Sequence, residues 1–333
     1  SRQTGEQAME IETMPADSDS VAIRVGISSC LLGQEVRFDG GHKRDSFITG
    51  TLSQFFDFVP VCPEAAVGLG IPRQPIRLVK AGEGVRALGT KDPSLDPTDA
   101  LADYGLATAA RMTDVSGYIL KNNSPSCGME RVRIYNDKGM PERRGVGIFA
   151  AALMEALPLL PVEEEGRLGD PVLRDNFIER VFVYKRWQTL EKEGFTAQGL
   201  VAFHSDHKYL ILAHSQPVYR ELGRMVADAG KGDPGELAAR YISVLMAALR
   251  KPATPRQHVN VLQHLTGYLK DRIDSDDRAE LVEIIEQYRQ GLVPLIVPIT
   301  LINHHFRRHP DPYVMRQHYL QPHPRELMLR NRI

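Results

Sequence analysis

Short apolar runs bounded by Gly, Pro, Ser or Asn recur through the first half of the chain, and their length suits buried strands better than helices. They fall at 21–27, 58–61, 76–79, 85–88, 115–120 and 132–135, with a last one near 159–162. Between them lie helical patterns at 45–56, 96–114 and 147–157; the second is Ala-rich and opens at Asp96-Pro97, where proline suits a first helical turn. The runs 76–79 and 85–88 flank Lys80-Ala81-Gly82-Glu83-Gly84 and read as an outlying hairpin. Strands alternating with helices in this way predict an α/β fold, a Rossmann-like open sheet with helices on both faces.

Past the Pro- and Glu-rich stretch 161–171 the strand pattern stops. Helices are predicted at 172–193, 196–229, 235–250, 255–270, 276–290 and 294–308, punctuated by Gly194, Gly232, Pro234, Pro252 and Pro255. The expected organisation is a disordered lead-in over 1–20, a sheet domain over 21–165, a connecting helix over 166–194, a separate all-α domain over 195–310 and a basic tail over 311–333. The lead-in is polar and does not read as a signal peptide, and no stretch approaches the ~20 apolar residues of a membrane span.

Charge refines this division. Residues 1–165 hold 17 Lys and Arg against 23 Asp and Glu, net −6, while residues 166–333 hold 24 against 19, net +5. Ten of the 11 histidines lie in the back half. A balance of +5 fits a solvated surface as well as a nucleic-acid partner.

The candidate chemistry sits in three cysteines, too few in 333 residues for a disulfide framework. They point instead to a reducing, cytoplasmic setting. Cys30 follows the first strand in Ser28-Ser29-Cys30-Leu31-Leu32-Gly33, Cys62 follows the second and opens Cys62-Pro63-Glu64, and Cys127 ends Lys121-Asn122-Asn123-Ser124-Pro125-Ser126-Cys127-Gly128 after the 115–120 strand. Ligand sites in open parallel sheets form beyond the carboxyl ends of the strands, so the fold can gather three thiols that lie 32 and 65 residues apart. Singly, each cysteine reads as a small buried hydrophobe; together they read as a ligand set.

Three protein thiolates leave one iron of a 4Fe-4S cubane open, which suits a Lewis-acid catalyst. Zinc on three cysteines and a water is the alternative. Glu64 is the candidate base for activating water. Ser124, Ser126, Asp39 and Lys121 stand near enough in sequence to contact substrate or balance cluster charge, although hydroxyls in such loops commonly bond their own backbone.

Ser29-Cys30-Leu31-Leu32-Gly33, Val36-Arg37-Phe38-Asp39-Gly40, Val61-Cys62-Pro63-Glu64 and Leu120 to Gly128, taken in order, resemble the thiouracil desulfidase family. The likeness covers about residues 21–160. It implies a 4Fe-4S cluster on Cys30, Cys62 and Cys127, with Glu64 and Ser124 as the catalytic pair. It also implies non-redox replacement of sulfur by oxygen in a thiolated pyrimidine, with sulfide released. Substrate contacts are expected from Asp39, Lys121 and Ser126. Residues 195–310 resemble the uncharacterised helical domain often fused behind this one. A basic helical appendage would have a use if the substrate were 4-thiouridine in tRNA, with Arg and Lys on phosphates while the base enters the pocket.

In the helical half, His204 and His207, and Asn260 and His264, share helix faces by spacing; packed, hydrogen-bonded histidines explain them better than a metal. Two other functions compete. A non-catalytic iron–sulfur sensor has no use for Glu64 and Ser124, and a cysteine-nucleophile hydrolase lacks a suitably placed His or Asp.

Overall fold

The computed structural model describes residues 22–323, so the expected lead-in over 1–20 and the end of the basic tail lie outside the described residues. In chain order the strands are β1 (Ile23–Ser28), β2 (Phe56–Val61), β3 (Ile76–Ala81), β4 (Gly84–Gly89), β5 (Gly117–Leu120), β6 (Val132–Tyr135), β7 (Pro141–Gly145) and β8 (Val162–Glu164). Helices α1 (Ser46–Gly50), α2 (Pro63–Ala66), α3 (Thr98–Arg111) and α4 (Ile148–Ala156) lie among them. The fold is α/β followed by an all-α region.

The strands form two sheets. One is fully parallel, in the order β2-β1-β5-β8, with Ser28 level with Val61 and Ile27 level with Ile119. The other, β4-β3-β6-β7, grows from the expected hairpin: β3 and β4 are antiparallel, and β6 joins β3 in parallel. Helices α3 and α4 serve both. Leu101 and Ile148 pack on the mixed sheet, while Ala109, Phe149 and Leu153 pack on the parallel one. β1 and β5 approach closely because Gly26 has no side chain: a Cβ there would lie 2.3 Å from the Tyr118 ring.

Two local departures from the sequence pattern have physical causes. The helix expected over 45–56 is only α1 plus a 3-10 turn at Leu52–Gln54, because Gly50 ends it and Phe56 already belongs to β2. Strand β7 was not anticipated; four of its five residues are exposed, so no apolar alternation marks it.

The opposite face of the parallel sheet is covered by α5 (Pro171–Glu193), whose Phe177, Ile178 and Val181 pack with Val25, Ile27 and Leu31. Farther along α5, Val183 and Trp187 enter a second core. That core is built by α6 (Ala197–His214), α7 (Gln216–Ala227), α8 (Pro234–Leu249), α9 (Pro255–Gly267), α10 (Ser275–Arg289) and α11 (Ile296–Arg308). One 23-residue helix thus belongs to both cores. The single helix expected over 196–229 is two: Ser215 caps α7 by accepting from Val218 N (3.3 Å), and Pro217 cannot donate to a continuing helix. Residues 311–323, expected as part of a basic tail, include α12 (Pro312–Met315) and bury Val314 and Tyr319 against the helical core. No helix among the described residues is long and apolar enough to cross a membrane.

Candidate functional site

Parallel pairing puts the carboxyl ends of β2, β1 and β5 side by side, and each is followed by a cysteine. Cys30 lies in a 3-10 turn, Ser29–Leu32, directly after β1. Cys62 is the N-cap of α2, directly after β2. Cys127 follows β5 through a loop that turns at Asn123, φ 57°, a conformation asparagine tolerates. All three are free thiols and line one cavity of about 500 Å³. Ser28 ties two of the loops together. Its Oγ accepts from Lys121 N (3.0 Å) and its side chain bonds the Cys127 thiol.

The Cys127 loop is anchored by the start of α4. Gly147 N donates to Gly128 O (2.8 Å), Ile148 N to Pro125 O (3.0 Å) and Ala150 N to Ser126 O (3.0 Å). Helix-terminal amides that would otherwise lack partners are satisfied by the loop. A Cβ at Gly147 would sit 2.5 Å from the Ser126 carbonyl carbon, so contact this close requires glycine.

Burial pushes the Cys127 thiol well above its ordinary range, opposed by the Ser28 hydrogen bond and reinforced by Glu64, Cys62 and Cys30. Cys30 is also raised, by burial first, with Arg37 and Lys121 pulling the other way. Thiols that resist losing a proton unaided become thiolates when a metal takes the proton's place. Soft sulfur donors of this kind suit iron–sulfur or zinc. Among the described residues no group of three His, Cys, Asp or Glu side chains is arranged to hold a single metal ion. The three sulfurs line one cavity, a soft donor set of the chemical type that either group uses.

Glu64 lines the same cavity and is held from two sides. Arg73 Nε donates to its Oε1 (3.1 Å) and Ser126 Oγ to its Oε2 (3.0 Å). Arg73 is itself locked, donating also to the carbonyls of Gly70 (2.8 Å) and Val36 (2.9 Å). A carboxylate has about four lone-pair sites, so both oxygens keep capacity to accept a further hydrogen bond. Ser124 Oγ accepts from Ser126 N (3.2 Å) and Cys127 N (3.0 Å), which leaves its O–H as the donor on the cavity wall. Lys121 lines the cavity and pairs through Nζ with Glu165 Oε1 (2.9 Å).

Cys30, Cys62, Cys127, Glu64, Ser124 and Lys121 are therefore brought together. Ser126 is fully buried and reaches the cavity only through Glu64. Asp39 is not among the lining residues; it is exposed and accepts from Gly41 N (2.9 Å), the surface-turn arrangement. Sequence reasoning missed two cavity residues, Arg73 and Arg37. The buried Arg37 Nε has no partner among the described residues. Arg37 stood inside a recognised motif, but no spacing rule distinguished it or Arg73 from surface cations.

Comparison with known proteins divides the chain in the same two parts. Residues 25–165 match the family model described as 2-thiouracil desulfurase. The uncharacterised protein YbbK of Bacillus subtilis (strain 168) is 33% identical over 137 residues, spanning 39% of this chain and 89% of YbbK. The chain belongs to the 2-thiouracil desulfurase family. Behind that family's segment, residues 208–324 match a protein of unknown function, DUF1722. The uncharacterised protein YbgA of Escherichia coli (strain K12) is 37% identical over 158 residues, 47% of this chain and 94% of YbgA. A solved structure of the 4Fe-4S-dependent thiouracil desulfidase TudS is 30% identical and covers 44% of this chain and 93% of that chain, with a TM-score of 0.35. All three cysteines, Glu64 and Ser124 lie within the segment matched to the desulfurase family.

His204 and His207 are packed between helices and hydrogen-bonded. His204 Nδ1 bonds Tyr241 Oη (2.8 Å), and His207 bonds Phe203 O (2.8 Å) and Arg186 (3.0 Å). Asn260 and His264 are exposed.

Proposed function

We propose that this desulfurase-family chain is an iron–sulfur-dependent, non-redox desulfidase converting 4-thiouracil or 4-thiouridine, free or in tRNA, to the oxo form with release of sulfide. The observation that carries the reading is the convergence of three free thiols from adjacent strand ends on one cavity beside a doubly braced Glu64. Cys30, Cys62 and Cys127 would hold a 4Fe-4S cluster. Bound there, such a cluster would supply a thiophilic Lewis acid for the sulfur of the substrate.

The remaining work belongs to side chains. Glu64 takes the proton from the attacking water, its carboxylate aimed by Arg73 and Ser126. Ser124 donates its hydroxyl hydrogen to the pyrimidine edge. Lys121, paired with Glu165, and Arg37 present positive charge to the cavity, against charge that develops as sulfur leaves. Asp39 acts on the Arg37–Gly41 turn rather than on substrate. The braced carboxylate also favours an enzyme over a sensor, since sensing needs no positioned base.

The helical half is proposed to hold tRNA through its surplus of Lys and Arg, supported by the +5 balance of residues 166–333. After anaerobic cluster reconstitution, thiocarbonyl absorbance would be followed with thiouracil, 4-thiouridine and thiolated tRNA side by side. The reading expects the band to disappear and the oxo pyrimidine to form with at least one of them. A cluster-loaded protein that leaves all three intact is not a desulfidase of this class. For tRNA, turnover should fall steeply with added salt; salt-independent turnover would remove the phosphate contacts from the account.

A further inference from the structure

A second cavity, of about 520 Å³, lies where the parallel sheet meets the helices. Its walls come from the end of α4, strand β8, the first turns of α5 and the residue after α8, and none of its lining residues lines the cysteine cavity. Arg180 is set into this wall. It is 8% exposed, and its buried Nε has no hydrogen-bond partner among the described residues. Its guanidinium stands 5.8 Å from the Phe177 ring.

A buried cation ordinarily comes with a carboxylate. The acid that acts on Arg180, Glu163, is engaged elsewhere: its Oε1 accepts from Arg167 Nε (2.6 Å) and from Glu164 N (3.1 Å). Arg167 is satisfied a second time by Glu130 (2.7 Å). Across the cavity, Arg250 donates to the Pro158 carbonyl (2.8 Å) rather than to an acid. Glu155 stands exposed at the rim. Burial pulls the Arg180 pKa down to about 10, so it is still a cation at neutral pH. Two guanidiniums with no carboxylate hydrogen-bonded to them thus face a cavity whose other walls include Leu157, Leu160, Leu173 and Met154, with Glu163 held by Arg167.

We propose that this cavity binds a phosphorylated small organic molecule of nucleotide size, with Arg180 and Arg250 taking the phosphoryl group and the leucine-lined wall taking its body. A divalent headgroup matches two forks, and guanidinium pairs bidentately with phosphate oxygens. A pocket of several hundred Å³ with an apolar lining and a few convergent polar groups is the form a small-molecule site takes. The cavity also touches Met129, two residues past Cys127, so an occupant would brace the seam close to the cysteine loop.

Calorimetric titration of the cluster-loaded full chain with inorganic phosphate, uridine monophosphate, adenosine monophosphate and glucose 6-phosphate tests this. At least one organic phosphate should bind more tightly than inorganic phosphate. Arg250→Ala, an exposed position, and Arg180→Met should each weaken that binding by about tenfold or more, as loss of a charge-assisted contact does. Iron content should stay at the wild-type level in both. Binding that is unchanged in Arg250→Ala and Arg180→Met, or no binding of any of the four phosphates, would overturn the proposal. An RNA oligonucleotide titrated beside them would overturn it too, were it the sole species whose affinity depends on Arg250. Because the readout is binding, failure here leaves the desulfidase reading standing, and failure of that reading leaves this site standing.

Discussion

Glu64 illustrates what the sequence discloses about a residue and what it withholds. Its place two residues after Cys62, at the end of a strand, marked it as a candidate base. Nothing in the spacing showed that Arg73 and Ser126 would grip its two oxygens. Those partners are set by tertiary contact, 9 and 62 residues away along the chain. Ser126 was legible as a site residue and its role was not: buried beneath Glu64, it holds the carboxylate and does not face the cavity. Glu64→Gln keeps the volume and should retain iron while lowering turnover by about 10²–10⁴-fold, the range for losing a general base. Steady-state rates on the cluster-loaded variant check this. Full turnover by Glu64→Gln would remove the residue from proton transfer.

Among elements, the cysteine-bearing strand ends were readable because short apolar runs mark buried parallel strands well. Strand β7 was not readable, since its exposed Pro141-Glu142-Arg143-Arg144 has the pattern of a loop. The split between α6 and α7 was signalled by Ser215 and Pro217, although apolar residues continue across it. The anchoring of the Cys127 loop by α4 was invisible, because it depends on backbone amides and on the missing side chain of Gly147. Gly147→Ala should therefore cost about 1–3 kcal/mol through steric overlap and lower cluster retention together. Denaturant unfolding and iron analysis would show both effects. Unaltered stability with a full cluster would mean that the loop and α4 separate at no cost.

At the scale of the molecule, α5 joins a sheet core to a helical core, and the single Trp187 reports on the latter through contacts with Phe203 (5.2 Å) and Tyr241 (5.7 Å). That core encloses histidines held neutral. Burial, with Lys208 for His204 and Arg186 for His318, lowers each from 6.5 to about 4, and burial with Arg186 beside it also pulls His207 well below its ordinary value. Bases with depressed folded pKa values bind protons more readily in the unfolded chain. Their contribution is intact above pH 6.5 and is lost as pH falls toward 4, by up to about 1.4 kcal/mol per pH unit for His204 and by less for the more solvent-screened His318. Denaturation followed by Trp187 emission should show its midpoint falling over that window; a flat profile would contradict the neutral, buried assignment.

Iron and sulfide counts after anaerobic reconstitution test most directly whether the three cysteines hold one cluster. Wild-type protein should bind about four iron and four sulfide per chain. Cys30→Ser, Cys62→Ser and Cys127→Ser should each lose most of both while the helical core keeps its Trp187 emission. A full complement of iron in any one of the three variants would contradict the account.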